Sequence, residues 1–205
     1  VEILNLSNEF EVAIISKDKF LTFEKSKDIE GSTIKYGEDL IVLDPRLKDL
    51  GARLIINLEK LHLSLKKLEL KSSDINEYYG FSYNLGIPQQ NTELLQNKIF
   101  GIECNFEELN GIDFKKGCYI GQENTARIKL KNKLSKRLFA VDVIDGNIKN
   151  NDTIKLNEKE IGKVLINKKF PFAIIKFNEK NFDFENILKC GKATIKIKKP
   201  AWLHK

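Results

Sequence analysis

"LNGIDFKKGCYIGQENTARIKLKNKLSKRLFAV", residues 109–141, passes through three textures in one run. It opens as a loop punctuated by Gly111 and Gly117. Past Gly121 a helix is expected over about 121–128. After the lysine-rich "KLKNKLSK" (129–136) the chain turns to strand and turn: "RLFAVDVI", "DTIKL", "IGKVLI", "PFAIIKF" and "ATIKIKKP". Short β-branched runs at this even spacing predict a small barrel or sandwich. A domain boundary is therefore placed near residue 134, giving units 1–133 and 134–205.

The upstream half mixes both periodicities. "EFEVAIIS" (9–16), "STIKYGEDLIVL" (32–43) and about 52–57 read as strands. Leucines at 58, 61, 65 and 68 have helical spacing, while 61, 63 and 65 alternate, so both readings stay open there. Asp74 with Glu77 three residues on reads as a capping box. The helix that follows carries Ile75, Tyr78, Tyr79, Ser82 and Leu85 and stops at Gly86-Ile87-Pro88. The fold class expected is α+β.

Cys118 sits among "KKGCYIGQE" (115–123). A thiol reacts as its thiolate, and nearby positive charge lowers its pKa. Lys115 and Lys116 lie within three residues, and a helix start just past Gly121 would aim backbone N–H groups at the loop. Gly117 and Gly121 permit a tight bend and close approach of a ligand. On spacing alone, an inert packed cysteine in a glycine-rich turn is the better account, since single cysteines are usually packing residues.

The totals narrow the field. The 205 residues are 41% hydrophobic and 31% charged, enough for one or two cores. Lys and Arg exceed acids by 35 to 29. This mild excess suits an anionic partner without naming one. No apolar run reaches the roughly 18 residues of a membrane span. Cys104, Cys118 and Cys190 are odd in number and never spaced C-x-x-C, which argues against a disulfide framework or a self-contained metal site and for a reducing compartment. His62 and His204 are too far apart to form a ligand pair with each other. The chain opens on Val1 and contains no Met, which reads as a processed or incomplete N-terminus.

The run 109–141 strongly resembles the signature of the YgfZ family, K-G-C-Y-x-G-Q-E, and most of all its mitochondrial members and their α-proteobacterial relatives. "LDPRLKDLGARL" (43–54), "YNLGIP" (83–88), "IGKVLI" and the closing "KKPAWL" agree in order. The resemblance implies the fold of the glycine-cleavage T-protein: a folate-binding α/β domain, here partial, followed by a small C-terminal β-barrel. It also implies an opening segment that is not present in this chain. The implied function is that of a folate-binding accessory factor, not an enzyme, for assembly or repair of iron–sulfur proteins, tRNA-modifying radical enzymes among them.

In that resemblance Cys118 is the working residue, framed by Lys116, Gly117, Tyr119, Gly121, Gln122 and Glu123. The implied cofactor is tetrahydrofolate or a derivative, with no stably bound metal. The aromatic residue on the helix before the G-x-P turn is Tyr78, whose ring suits a flat pterin or benzoyl group; it equally fits the apolar stripe of Ile75 and Leu85. Asn84 stands where the T-protein has an acid against the pterin edge, and still offers a donor and an acceptor. Arg127 suits the glutamate tail of a folate, or a surface salt bridge. Gln122 and Glu123 cap or orient the cysteine loop. Asp44 and Arg46 read as a turn-stabilising pair, Cys104 and Cys190 as core residues, and Trp202 as a barrel anchor. The implied partners are client iron–sulfur proteins, with no membrane, no direct nucleic acid, and a monomeric state. The setting is bacterial cytoplasm or, in a eukaryote, the mitochondrial matrix. A true aminomethyltransferase is the alternative; it needs a carboxylate near the folate nitrogen.

Overall fold

A computed structural model describes residues 2–117, 122–130 and 134–203, with Asn124 as backbone alone. The chain divides into two compact units, Val1–Asp74 and Ile75–Lys205.

The first unit is built on an antiparallel sheet of four strands: β1 (Phe10–Ile15), β2 (Thr33–Tyr36), β3 (Asp39–Leu43) and β4 (Ala52–Asn57), in the order β1-β4-β3-β2. Alternation puts Ala52, Leu54 and Ile56 of β4 on the buried face. They pack with Ile15, Phe20, Ile34, Ile41, Leu43 and Leu68. Residues 32–43, expected as one strand, form a hairpin instead. Tyr36 pairs with Asp39 across Gly37-Glu38, and Gly37 takes φ +62°, a backbone state that glycine adopts at little cost. The ambiguity over 58–70 resolves to a 3₁₀ turn, Leu58–Lys60, and a helix, α2 (Leu61–Lys67), following the shorter helix α1 (Lys17–Leu21). Ser64 and Leu68 lie on the buried side of this stretch, one helical turn apart, and His62 and Leu63 are exposed.

Asp44 closes β3 at 1% exposure. Its carboxylate accepts from the Arg46 backbone N–H (3.0 Å), Arg46 Nε (3.0 Å), Arg46 Nη2 (2.8 Å) and Arg53 Nε (3.2 Å). This is the turn-stabilising pair expected of Asp-Pro-Arg, with a second arginine added from β4.

The second unit begins with α3 (Ile75–Asn84). The helix ends as glycine ends helices: Gly86 at φ +76°, its N–H on Tyr83 O and that of Ile87 on Ser82 O. A Cβ on Gly86 would come within 2.8 Å of Pro200 Cγ, so this turn and the "KKPAWL" end meet. Trp202 Nε1 donates to Leu85 O at 2.7 Å, making Trp202 the anchor expected. From 89 to 117 the chain is loop with one 3₁₀ turn, Thr92–Leu95. Asn91, Asn97, Asn105 and Asn110 supply its left-handed bends. Helix α4 covers Gln122–Leu130.

The barrel is closed, with six strands: β5 (Arg137–Asp145), β6 (Thr153–Leu156), β7 (Lys159–Ile166), β8 (Phe172–Ile175), β9 (Ile187–Cys190) and β10 (Ala193–Ile197), in the order β10-β5-β8-β7-β6-β9. Strand β9, unforeseen in the sequence, bridges β6 and β10 and so completes closure. Phe139, Val141, Ile154, Ile161, Val164, Ile175, Leu188 and Ile195 fill the core. Four consecutive residues of β5, Leu138 to Val141, are buried. Phe139 and Val141 belong to the core cluster inside the barrel, whereas Leu138 and Ala140 join Leu95, Leu165 and Phe172 in a second cluster against Tyr83, Ile99 and Cys104. A strand covered on both faces reads as a continuous apolar run.

Burial pushes the Asp44 carboxyl up, and the hydrogen bonds and charge of Arg46, then Arg53, outweigh it and hold the group below its ordinary value. A depressed folded-state pKa contributes stability that is full above the unfolded value, about 3.9, and lost as pH falls through the folded one. Asp44→Asn should therefore cost about 2–3 kcal/mol at neutral pH, the half-exposed guanidinium groups moderating the loss. Urea denaturation at stepped pH should show the gap from the parent protein closing as the medium becomes acid.

Candidate functional site

The cysteine motif lies between two arms that the fold holds differently. On the upstream arm, the Lys115 N–H donates to Asp113 Oδ1 at 2.7 Å, which shapes the bend. Lys115, Lys116 and Gly117 are exposed, and a Cβ on Gly117 would meet nothing within 4 Å. The downstream arm is α4. Cys118, Tyr119 and Gly121 lie outside the described residues, so the structural account covers their frame.

Helix α4 presents Gln122 half-buried and Glu123 exposed in its first turn. Glu123 Oε1 accepts from Arg127 Nη2 at 2.9 Å, one helical turn on. That is the surface salt bridge weighed for Arg127. Lys129 pairs with Glu107 and sits 5.4 Å from the centroid of Phe114, tying α4 to the loop upstream of the motif.

The loop is in turn fastened to the barrel. Arg137, at the first position of β5, donates from Nη1 to Asn105 Oδ1 (2.8 Å) and pairs through Nη2 with Glu108 Oε1 (2.5 Å). Asn105 Nδ2 donates to Leu138 O (2.9 Å), and the Leu138 N–H to Glu103 O (2.8 Å). Glu108 Oε2 is buried with no hydrogen-bond partner among the described residues. None of these four anchors stood out in the sequence. The only trace was an arginine at the head of an apolar run.

The two folate candidates on α3 take separate partners. Six residues apart on a helix, they project about 120° apart. The Tyr78 hydroxyl accepts from Gln89 Nε2 at 3.2 Å, and its ring lies 6.2 Å from that of Tyr79. Asn84 is exposed, and its Oδ1 accepts from Lys198 Nζ at 3.0 Å. A pterin edge presents both donors and acceptors. The Tyr78–Gln89 pair fits such a group, while Asn84 has its acceptor oxygen engaged and keeps its amide N–H donors.

The neighbouring aromatic residue, Tyr83, was missed in the sequence. Its hydroxyl donates to Val141 O (2.6 Å) and lies 3.1 Å from Asp142 Oδ1, and Lys198 lies 4.8 Å from its ring centroid. Burial, followed by the charge and hydrogen bond of Asp142, holds its phenol well above the ordinary value. Tyr83 also lines an open cavity of about 380 Å³ on the barrel. Tyr78, Asn84, Lys116, Gln122, Glu123 and Arg127 are not among its walls.

Cys190 lies in the barrel core and Cys104 against the outer cluster. Burial, with Asp152 and Glu103 respectively adding to it, pushes both thiols up to about 11. Neither forms thiolate readily at neutral pH. Among the described residues no group of three or more His, Cys, Asp or Glu side chains could hold a metal ion. No helix among them is long and apolar enough to cross a membrane.

The architecture defines a mixed α/β protein with a closed six-stranded barrel, in which Lys115, Lys116 and Gly117, just ahead of the cysteine in the sequence, are exposed. No family model matches the chain. It is similar to the mitochondrial iron–sulfur cluster assembly factor IBA57 homolog of Dictyostelium discoideum, 32% identical over 142 residues, or 69% of this chain and 34% of that protein. The IBA57 factors of Mus musculus and Homo sapiens are each 34% identical, over 51% and 52% of this chain and 28% and 29% of their own lengths. The chain thus spans about a third of the length of these curated relatives. Its homologues are iron–sulfur cluster assembly factors designated mitochondrial.

Replacing Arg137 by Leu strands Glu108 in a mostly buried position and should cost about 2–4 kcal/mol. Glu108→Leu should cost a similar amount, and the double variant less than the two together. A double-mutant cycle in urea is expected to return a coupling of about 1–3 kcal/mol. Strict additivity would mean that the anchor is decorative.

Proposed function

We propose that this protein is a folate-binding accessory factor of T-protein-like fold that supports assembly or repair of iron–sulfur enzymes through Cys118. The observation that supports the reading is the packing of the other two thiols, Cys104 and Cys190. Both are raised to about 11, which leaves the one in K-G-C-Y-x-G-Q-E for chemistry. The relatives' role in iron–sulfur cluster assembly supplies the class of cargo.

One thiol supplies one ligand. A cluster needs about four, so a cluster or sulfur species passing through is shared with a partner protein or glutathione and is held transiently. Lys115 and Lys116 put positive charge within three residues of Cys118, which favours its thiolate. The clients are iron–sulfur proteins, with tRNA-modifying radical enzymes among them, and the setting is the mitochondrial matrix. Folate is placed by Tyr78 with Gln89: the ring gives a stacking face and the amide an edge donor and acceptor. When bound, folate supplies a flat pterin and an anionic tail.

The test is complementation of cells lacking their own factor. Cys118→Ala should melt at the parent temperature and bind tetrahydrofolate as before, yet leave a client iron–sulfur enzyme inactive. Full restoration by that variant would make the sulfur structural. Separately, Tyr78→Ala should weaken tetrahydrofolate binding by about 1–3 kcal/mol, read by calorimetric titration. An unchanged affinity removes Tyr78 from the site.

A further inference from the structure

The chain's charge is segregated. Residues 134–205 hold sixteen Lys and Arg against eight Asp and Glu, whereas residues 1–133 hold nineteen against twenty-one. The whole net +6 therefore comes from the barrel segment. Most of its strand lysines are neutralised locally: Lys155, Lys159, Lys163, Lys189 and Lys196 each have a carboxylate within 4.0 Å. Lys168 and Lys169, on the β7–β8 connection, are exposed and have no acidic partner within that distance among the described residues. Both line the open cavity of about 380 Å³.

The same cavity is lined by the amides Asn147 and Asn167 and by apolar Val143 and Ile148. Cations, amide donors and an apolar surface at one place suit a segment that carries carboxylates beside an aliphatic side chain. The chemistry fits nucleic acid less well. The one arginine of the barrel segment, Arg137, is committed to Glu108 and Asn105, which leaves no planar fork for bidentate phosphate contact. The aromatic rings nearby are also engaged. Tyr83 and Phe170 pack on each other at 5.5 Å and carry Lys198 and Lys169 at 4.8 and 5.4 Å from their centroids, so neither is an open platform for a base.

We propose that the cavity between the β5–β6 and β7–β8 connections, with Lys168 and Lys169, is a docking site for an acidic, aliphatic-containing segment of a partner protein. Lysine point charges steer the encounter over a Debye length, and the cavity fixes the register. The site works whether or not the Cys118 sulfur is reactive.

The experiment uses the full chain and two fluorescein-labelled probes, a twelve-residue Glu/Leu peptide and a twelve-nucleotide single-stranded RNA, followed by anisotropy. Lys168→Glu/Lys169→Glu should weaken the peptide by roughly tenfold or more, and Lys180→Glu/Lys192→Glu, an equal charge change at exposed positions that do not line the cavity, by less than about threefold. Lys168→Gln/Lys169→Gln gives the same ordering should the reversed pair fold poorly, as judged by circular dichroism. Equal losses from both pairs, no peptide binding by the parent chain, or RNA bound more tightly than peptide would each overturn the proposal.

Discussion

Everything in the second unit depends on β5 being covered on both faces. Its buried run puts Phe139 and Val141 in the barrel core and Leu138 and Ala140 in the outer cluster. The barrel thereby gains a second layer, and the irregular chain from 89 to 117 gains a floor. Arg137 sets the register at the head of that strand, because its guanidinium must meet both Asn105 and Glu108. A half-buried charge without these partners would be costly to keep. The cysteine motif then starts from a fixed base, with α4 tied back by Lys129 to Glu107 and Phe114.

The C-terminal end performs a similar service for α3. Trp202 and Pro200 close on Leu85 and Gly86, Tyr83 reaches Val141, and Lys198 reaches Asn84. Two sequence segments separated by more than a hundred residues are thus one structural feature. The helix that carries Tyr78 is positioned by the barrel rather than by its own propensity, which is what a ten-residue helix requires.

Much of this was legible in the sequence, and the exceptions have physical causes. The β-branched runs after 134 marked five of the six barrel strands correctly, because short apolar runs rich in Val, Ile and Phe and bounded by turn residues are a strong signal. Strand β9 is four residues long and defined by its neighbours on both sides, so nothing local announces it. The β2–β3 hairpin was hidden because its turn is only two residues long and the stretch 40–43 is apolar throughout, so the switch of the buried face from Ile34 to Ile41 and Leu43 does not show in the pattern. Asp44 was legible as a turn, since its partner Arg46 is two residues away. Its second partner, Arg53, became visible only with the β3–β4 pairing. At the site, a surface salt bridge was one of two readings of Arg127, and its partner, Glu123 one turn earlier, was not named; Cys118 itself lies outside the described residues. Asn84 with Lys198, and Glu108 with Arg137, are long-range pairings that no spacing rule reaches.

In the proposed function the barrel is the support and each surface has its own chemistry: a sulfur that follows two lysines in the sequence, an aromatic–amide pair on α3, and a cationic cavity at the β5–β6 and β7–β8 connections. The central claim is that this sulfur is electrostatically primed. The direct measurement is the alkylation rate of Cys118 by iodoacetamide between about pH 5 and pH 10, in the native and the urea-unfolded chain, with adducts located by peptide mass mapping. A native midpoint below that of the unfolded chain, with Cys104 and Cys190 silent until unfolding, is the result expected. A native midpoint at or above the unfolded one, or a Cys118 that reacts only after denaturation, would contradict the account.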